Sequence, residues 1–215
     1  MKRVSTITFF LLLMFLGSMQ AEMSAPAKGQ NKSALSAASK RQLMKLLQDI
    51  RIKAFLDLLA HGEGTSYHGE VKKPRDQYRI TFCNDGKIES FKDHPRKKCC
   101  NKVGDRIICA TAAGRYMFLQ KTWDWLQEKL QLNDFSPPNQ DIAALYLLDL
   151  SGAISEIRKD DIPKAITKSS RFWAPMPGNN YNQPQTKINE LLALYRKRLI
   201  FYQNCNEIPQ KKGRL

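Results

Sequence analysis

The stretch Arg51-Ile-Lys-Ala-Phe-Leu-Asp-Leu-Leu-Ala-His-Gly-Glu-Gly-Thr65 decides how this chain is read. Ile50, Ala54, Phe55, Leu58 and Leu59 recur at helical spacing and predict one buried face. Gly62 is expected to stop the helix, because glycine accepts the left-handed backbone needed there. Without side chains, Gly62 and Gly64 would let a bulky ligand approach the intervening Glu63. A carboxylate fixed at the end of a buried helix and turned to a cleft is partly desolvated, which raises its pKa. A general acid working near neutral pH needs that shift. The plainer alternative is a solvated residue at a helix end.

Before this stretch, Ser39-x-x-Gln42 has the spacing of a capping box and predicts one helix over Lys40 to Ala60. After it, Tyr78–Cys83 and Lys87–Phe91 flank Asn84-Asp85-Gly86, the pattern of a β-hairpin. Val103–Cys109 can add a further strand. Helical periodicity resumes over 112–132, 138–150, 151–158, 162–170 and 185–201. A small antiparallel β lobe is thus inserted early in a mainly helical α+β domain. The cleft falls between lobe and body, with Glu63 at the junction.

Residues 1–21 read as a secretory signal: Lys2 and Arg3, an apolar core from Ile7 to Leu16, and a small-residue exit ending at Ala21. That core is shorter than the roughly 20 apolar residues that span a bilayer. Residues 22–39 form a flexible leader rich in Ala, Ser, Lys and Gln. The catalytic domain is expected over 40–201 and a basic tail over 202–215. Loss of the signal lowers the net charge from +15 to +13. A periplasmic or secreted monomer of this charge meets anionic cell-envelope polymers rather than nucleic acid, and has no stable membrane insertion. Five cysteines fit an oxidising compartment. Cys83–Cys99 and Cys100–Cys109 are the expected bridges, with Cys205 left over. A zinc site using these thiols with His68 or His94 is the competing reading.

Several motifs in order resemble the lambda-endolysin-like lytic transglycosylases of glycoside hydrolase family 104, which are lysozyme-like. They are Lys53-Ala-Phe-Leu-Asp57 with Gly62-Glu-Gly-Thr65, Tyr78 with its hairpin, and Asp93-His-Pro-Arg96. Gly114-Arg-Tyr116, Trp123-Asp124, Asp134-Phe-Ser-Pro137 with Gln140-Asp141, and Asp161-Ile162 follow. Trp173-Ala174, Pro177-Gly178, Tyr181 and Gln183 complete the series. The resemblance implies that Glu63 is the catalytic acid and that peptidoglycan glycan strands are the substrate. It further implies cleavage of the β-1,4 bond between N-acetylmuramic acid and N-acetylglucosamine, leaving a 1,6-anhydro end. No cofactor or metal is implied.

By that resemblance the muramic 6-hydroxyl is the nucleophile, and no second carboxylate would have to activate water. The alternatives are a muramidase that uses water, with Asp93 as the strongest second carboxylate, and a catalytically silent peptidoglycan-binding module. Glu70, Asp76, Asp85 and Glu89 are weaker candidates. Aromatic faces and amides suit sugars, so Tyr78, Asp93, Tyr116, Gln120, Trp173, Tyr181 and Gln183 are expected to bind substrate. Met117 occupies a place where many transglycosylases carry Gln, and Gln120 is the candidate replacement. Trp123 is expected in the core, and His94 is expected to stabilise a turn.

Overall fold

The computed structural model describes residues 34–66, 74–83, 87–103, 106–181 and 184–207. The signal, most of the leader, the hairpin tip at 84–86, Glu70, Asp85 and Gln183 lie outside the described residues. Helix α1 (Ala37–Leu46) is capped by Ser36, whose hydroxyl accepts from Ser39 N. Helix α2 (Ile50–Gly62) is capped by Asp49, which accepts from Arg51 N at 2.9 Å. The single helix expected over 40–60 is therefore two. The side chain of Asp49 competes for backbone N–H groups and restarts the helix.

The lobe also departs from expectation. Pro74–Arg79 forms a 3₁₀ turn, and among the described residues at 80–83 and 87–91 no full strand forms. What remains of that pairing is an Ile80–Lys87 bridge and a Thr81–Ala113 bridge to a later loop. The regular sheet lies further on, where β1 (Cys99–Val103) pairs antiparallel with β2 (Arg106–Ala110). Cys100 faces Cys109 in this register, and the two are bonded. Cys83 bonds Cys99 and ties the strand pair back to the preceding segment. Both bridges are the expected ones, and Cys205 is free and exposed. With these four sulfurs bonded to each other, none serves as a thiolate donor to zinc.

The body is built around α4 (Pro137–Ser151), buried on most sides through Gln140, Ile142 and the run Ala143–Leu148. Prolines at its first positions preset the backbone, and Gly152, at φ +75°, ends it. Helix α3 (Gln120–Leu130) starts later than its periodicity suggests. Residues 113–118 are drawn into a tight loop closed by mutual Ala113–Phe118 backbone bonds. Trp123 is core, edge-on to Phe135 at 4.5 Å. Short helices α5 (Ala153–Arg158) and α6 (Ile162–Ser169) complete the far side. Helix α7 (Ile188–Glu207) packs along α2 and runs six residues into the stretch read as a tail.

Candidate active site

Helix α2 ends in a way that presents Glu63. Gly64 N donates to His61 O and Thr65 N donates to Ala60 O, both at 2.9 Å. This is the paired closure of a Schellman motif, with Glu63 as the cap and Gly64 as its left-handed residue at φ +70°. Gly64, not Gly62, therefore stops the helix. A Cβ on Gly64 would meet nothing within 4 Å, so this side of the turn is open. Gly62 is small for another reason: a Cβ there would overlap the Met176 methyl. It makes room for packing, not for a ligand.

No side-chain hydrogen bond or ion pair reaches the half-buried Glu63 carboxyl from the described residues. Burial alone pushes its pKa up from 4.5 to about 8. Partial desolvation, with no compensating cation among the described residues, favours the protonated carboxyl at neutral pH. It can donate that proton to a leaving oxygen.

Behind the Glu63 turn lies a buried polar network. Arg115 donates through Nη2 to Asp57 and through Nη1 to the hydroxyls of Tyr78 (2.9 Å) and Tyr116 (3.0 Å). Those hydroxyls donate to Asp141 at 2.9 Å and 2.6 Å. Asp57 also accepts from Arg198 Nε at 2.5 Å and from the Tyr202 hydroxyl at 2.9 Å, both on α7. Burial raises the Asp141 pKa, partly offset by the Arg115 charge and the two tyrosine hydrogen bonds. Burial likewise pushes the Tyr78 and Tyr116 phenols up, so both remain protonated donors. The backbone is held as well: Arg115 N donates to Gln140 Oε1 at 2.9 Å, and Gln140 donates on to Phe135 O at 2.8 Å.

This arrangement corrects several expectations. Tyr116 is 1% exposed and Trp173 is 2% exposed, so neither ring has a free face for a sugar. Tyr78 turns its hydroxyl into the network rather than outward. Asp93 receives Arg96 Nε at 2.8 Å and His94 N at 2.8 Å, and Arg96 holds its carboxyl below the usual range. That is a structural turn, extended by Arg96 to Asp124. His94 stabilises it as expected. Its Nδ1 accepts from Arg96 N and its Nε2 lies 2.9 Å from Phe118 O, so the ring is neutral with the proton on Nε2. Burial lowers its pKa accordingly. Gln120 stands at the first turn of α3, and Tyr181 is half-buried with its hydroxyl on Arg171 O at 3.0 Å. Asp57, Arg115, Asp141, Arg198 and Tyr202 were not foreseen as site residues. Three of them lie inside the quoted motifs, where sequence alone gave them no role.

A mainly helical body, a small two-stranded lobe and an acid at the end of a buried helix define a lysozyme-like, peptidoglycan-cleaving glycosidase. A family model described as Endolysin matches residues 53–199, and the chain belongs to the endolysin family. It is 37% identical over 145 residues to the endolysin of Escherichia phage lambda, covering 67% of this chain and 89% of that protein. The endolysin of Escherichia phage P2 is also 37% identical, over 153 residues, covering 67% of this chain and 90% of its own. Bacteriophage lambda lysozyme complexed with a chitohexasaccharide superposes with a TM-score of 0.62 at 35% identity. That match covers 70% of this chain and 94% of the other. A second structure of lambda lysozyme gives a TM-score of 0.61 at 34% identity. No helix among the described residues is long and apolar enough to cross a membrane.

Proposed function

We propose that this chain is a lytic transglycosylase that cleaves the β-1,4 bond between N-acetylmuramic acid and N-acetylglucosamine with Glu63 as its only catalytic carboxyl. Glu63 gives its proton to the glycosidic oxygen as the bond to the anomeric carbon breaks. The resulting carboxylate then takes the proton of the muramic 6-hydroxyl, whose oxygen bonds to that carbon. The proton count on Glu63 is restored and a 1,6-anhydro end is left. The observation that carries this reading is an acid at the end of α2 whose pKa burial raises to about 8, as a group that serves first as acid and then as base requires. Asp93, the strongest rival, is committed to Arg96.

The chitohexasaccharide on the lambda enzyme supports a glycan strand as ligand here too, with Gln120 and Tyr181 as sugar-contact candidates. The basic charge and the signal-like first 21 residues support action in the envelope after export. Mass spectrometry of digested peptidoglycan tests the chemistry, because the anhydro product is lighter by one water. Reducing muramic ends as the sole product would assign a muramidase instead. Glu63→Gln should reduce turnover by roughly 10²–10⁴-fold while leaving the fold and glycan binding in place. A folded variant retaining a tenth of wild-type turnover would remove Glu63 from this role.

A further inference from the structure

Thr65, two residues beyond Glu63, is 1% exposed. Its hydroxyl lies 2.6 Å from Arg115 O and 2.9 Å from Ala60 O. It has one proton to give. Ala60 O is already served by Thr65 N at 2.9 Å and Ser66 N at 3.2 Å, so the hydroxyl is best spent on Arg115 O. That carbonyl belongs to a residue gripped at both ends. Its amide is held by Gln140, and its guanidinium by Asp57 and the Tyr78 and Tyr116 hydroxyls. Gly114, just before it, has φ +78° and no room for a Cβ against the Gln140 side chain, so this position calls for glycine. The turn carrying Glu63 is open on its Gly64 side and tied on its Thr65 side.

We propose that Thr65 is a positioning residue, which through its hydroxyl bond to the clamped Arg115 carbonyl fixes the direction in which the Glu63 carboxyl points. The inference rests on Glu63 being the acid of the proposed reaction. It assigns Tyr78 and Tyr116 to the clamp, a role distinct from sugar contact. Displacements of the order of 1 Å at a reacting group cost up to about 10²-fold in rate. A loosened turn therefore shows in turnover and not in substrate affinity.

Steady-state kinetics on soluble, uncross-linked glycan strands test this. Thr65→Val keeps the shape of the side chain and removes the hydroxyl. It should lower kcat about tenfold with KM unchanged within about twofold, and Thr65→Ser should restore kcat. Tyr116→Phe, which removes one hydroxyl from the clamp, should lower kcat by a smaller factor, again at constant KM. A raised KM with kcat preserved in Tyr116→Phe would overturn its assignment to the clamp and return it to the sugar. Wild-type kcat in a folded Thr65→Val would overturn the proposal outright. If Thr65→Val does not fold, Thr65→Ala is read in its place, and wild-type kcat in that variant together with wild-type kcat in Tyr116→Phe would overturn the proposal. Glu63→Gln, assayed alongside, separates the two levels. Should it stay active, the reading of Glu63 fails; should it die while Thr65→Val matches wild type, only this inference fails.

Discussion

The helical body and the β lobe are held together by different means. In the body, Ile52, Leu58, Trp123, Leu126 and Leu145 are sealed from water around α4. In the lobe, Ile107 lies 73% exposed on a two-stranded sheet, and two disulfides do the holding. A two-stranded hairpin is marginal in water, whereas a helical core of this size is not. The body also contains an exception to its own rule, the charged cluster around Arg115. Glu63 ends a helix of the body and lies two residues from the Thr65 tie to the charged cluster, and perturbing each kind of holding separately shows what it contributes.

The largest stability effect is expected within the exception. Arg115→Met removes the cation shared by the largely buried Asp57 and Asp141, leaving Asp141 only its two tyrosine hydroxyls while Asp57 keeps Arg198, and should cost about 3–5 kcal/mol, read as a drop in denaturation midpoint. A variant as stable as wild type would show that water reaches this network. Replacing Cys100 and Cys109 together by Ser should loosen the lobe by roughly 2–3 kcal/mol, from a bridge spanning 9 residues. The melting of the body should scarcely move while activity falls. Simultaneous loss of both would mean that lobe and body fold as one unit.

Glu63 itself should act against stability. Between 4.5 and about 8 the folded chain keeps a proton that the unfolded chain has released, so stability falls as pH rises through this window. Glu63→Gln should remove that slope. The inactive variant should be more stable than wild type at pH 8, by on the order of 2 kcal/mol after discounting for water at the open side of the turn, and equal to it at pH 4. Parallel stability curves for the two proteins would refute the raised pKa. The smallest effect is expected at the lobe's edge. Asp93→Asn loses a mostly exposed ion pair to Arg96, and should cost about 0–1 kcal/mol and leave turnover within a few-fold.

What could be read from sequence was local. Periodicity placed a helix over 138–150, within one residue of α4 at either end, because such a pattern acts within a few residues of itself. The cysteine pairing was legible because the four residues lie within one short segment. The strands expected at 78–83 and 87–91 pair among the described residues only at Ile80–Lys87, because alternation says nothing about the 3₁₀ turn at Pro74–Arg79 or about Asp141, 63 residues away, which binds the Tyr78 hydroxyl. The same distance hid the clamp. Asp57, Arg115 and Asp141 are ordinary surface-type residues until three separate elements bring them together. Tyr116 and Trp173 were read as sugar platforms on their residue type, and burial overrules type.

Asp57 takes two of its partners, Arg198 and Tyr202, from 141 and 145 residues further along. A chain leaving the ribosome therefore exposes its acid long before it can complete the scaffold behind it. Contacts of such long range close late in folding. Helix α7, which follows every other described element, has to emerge before Asp57 gains these two partners.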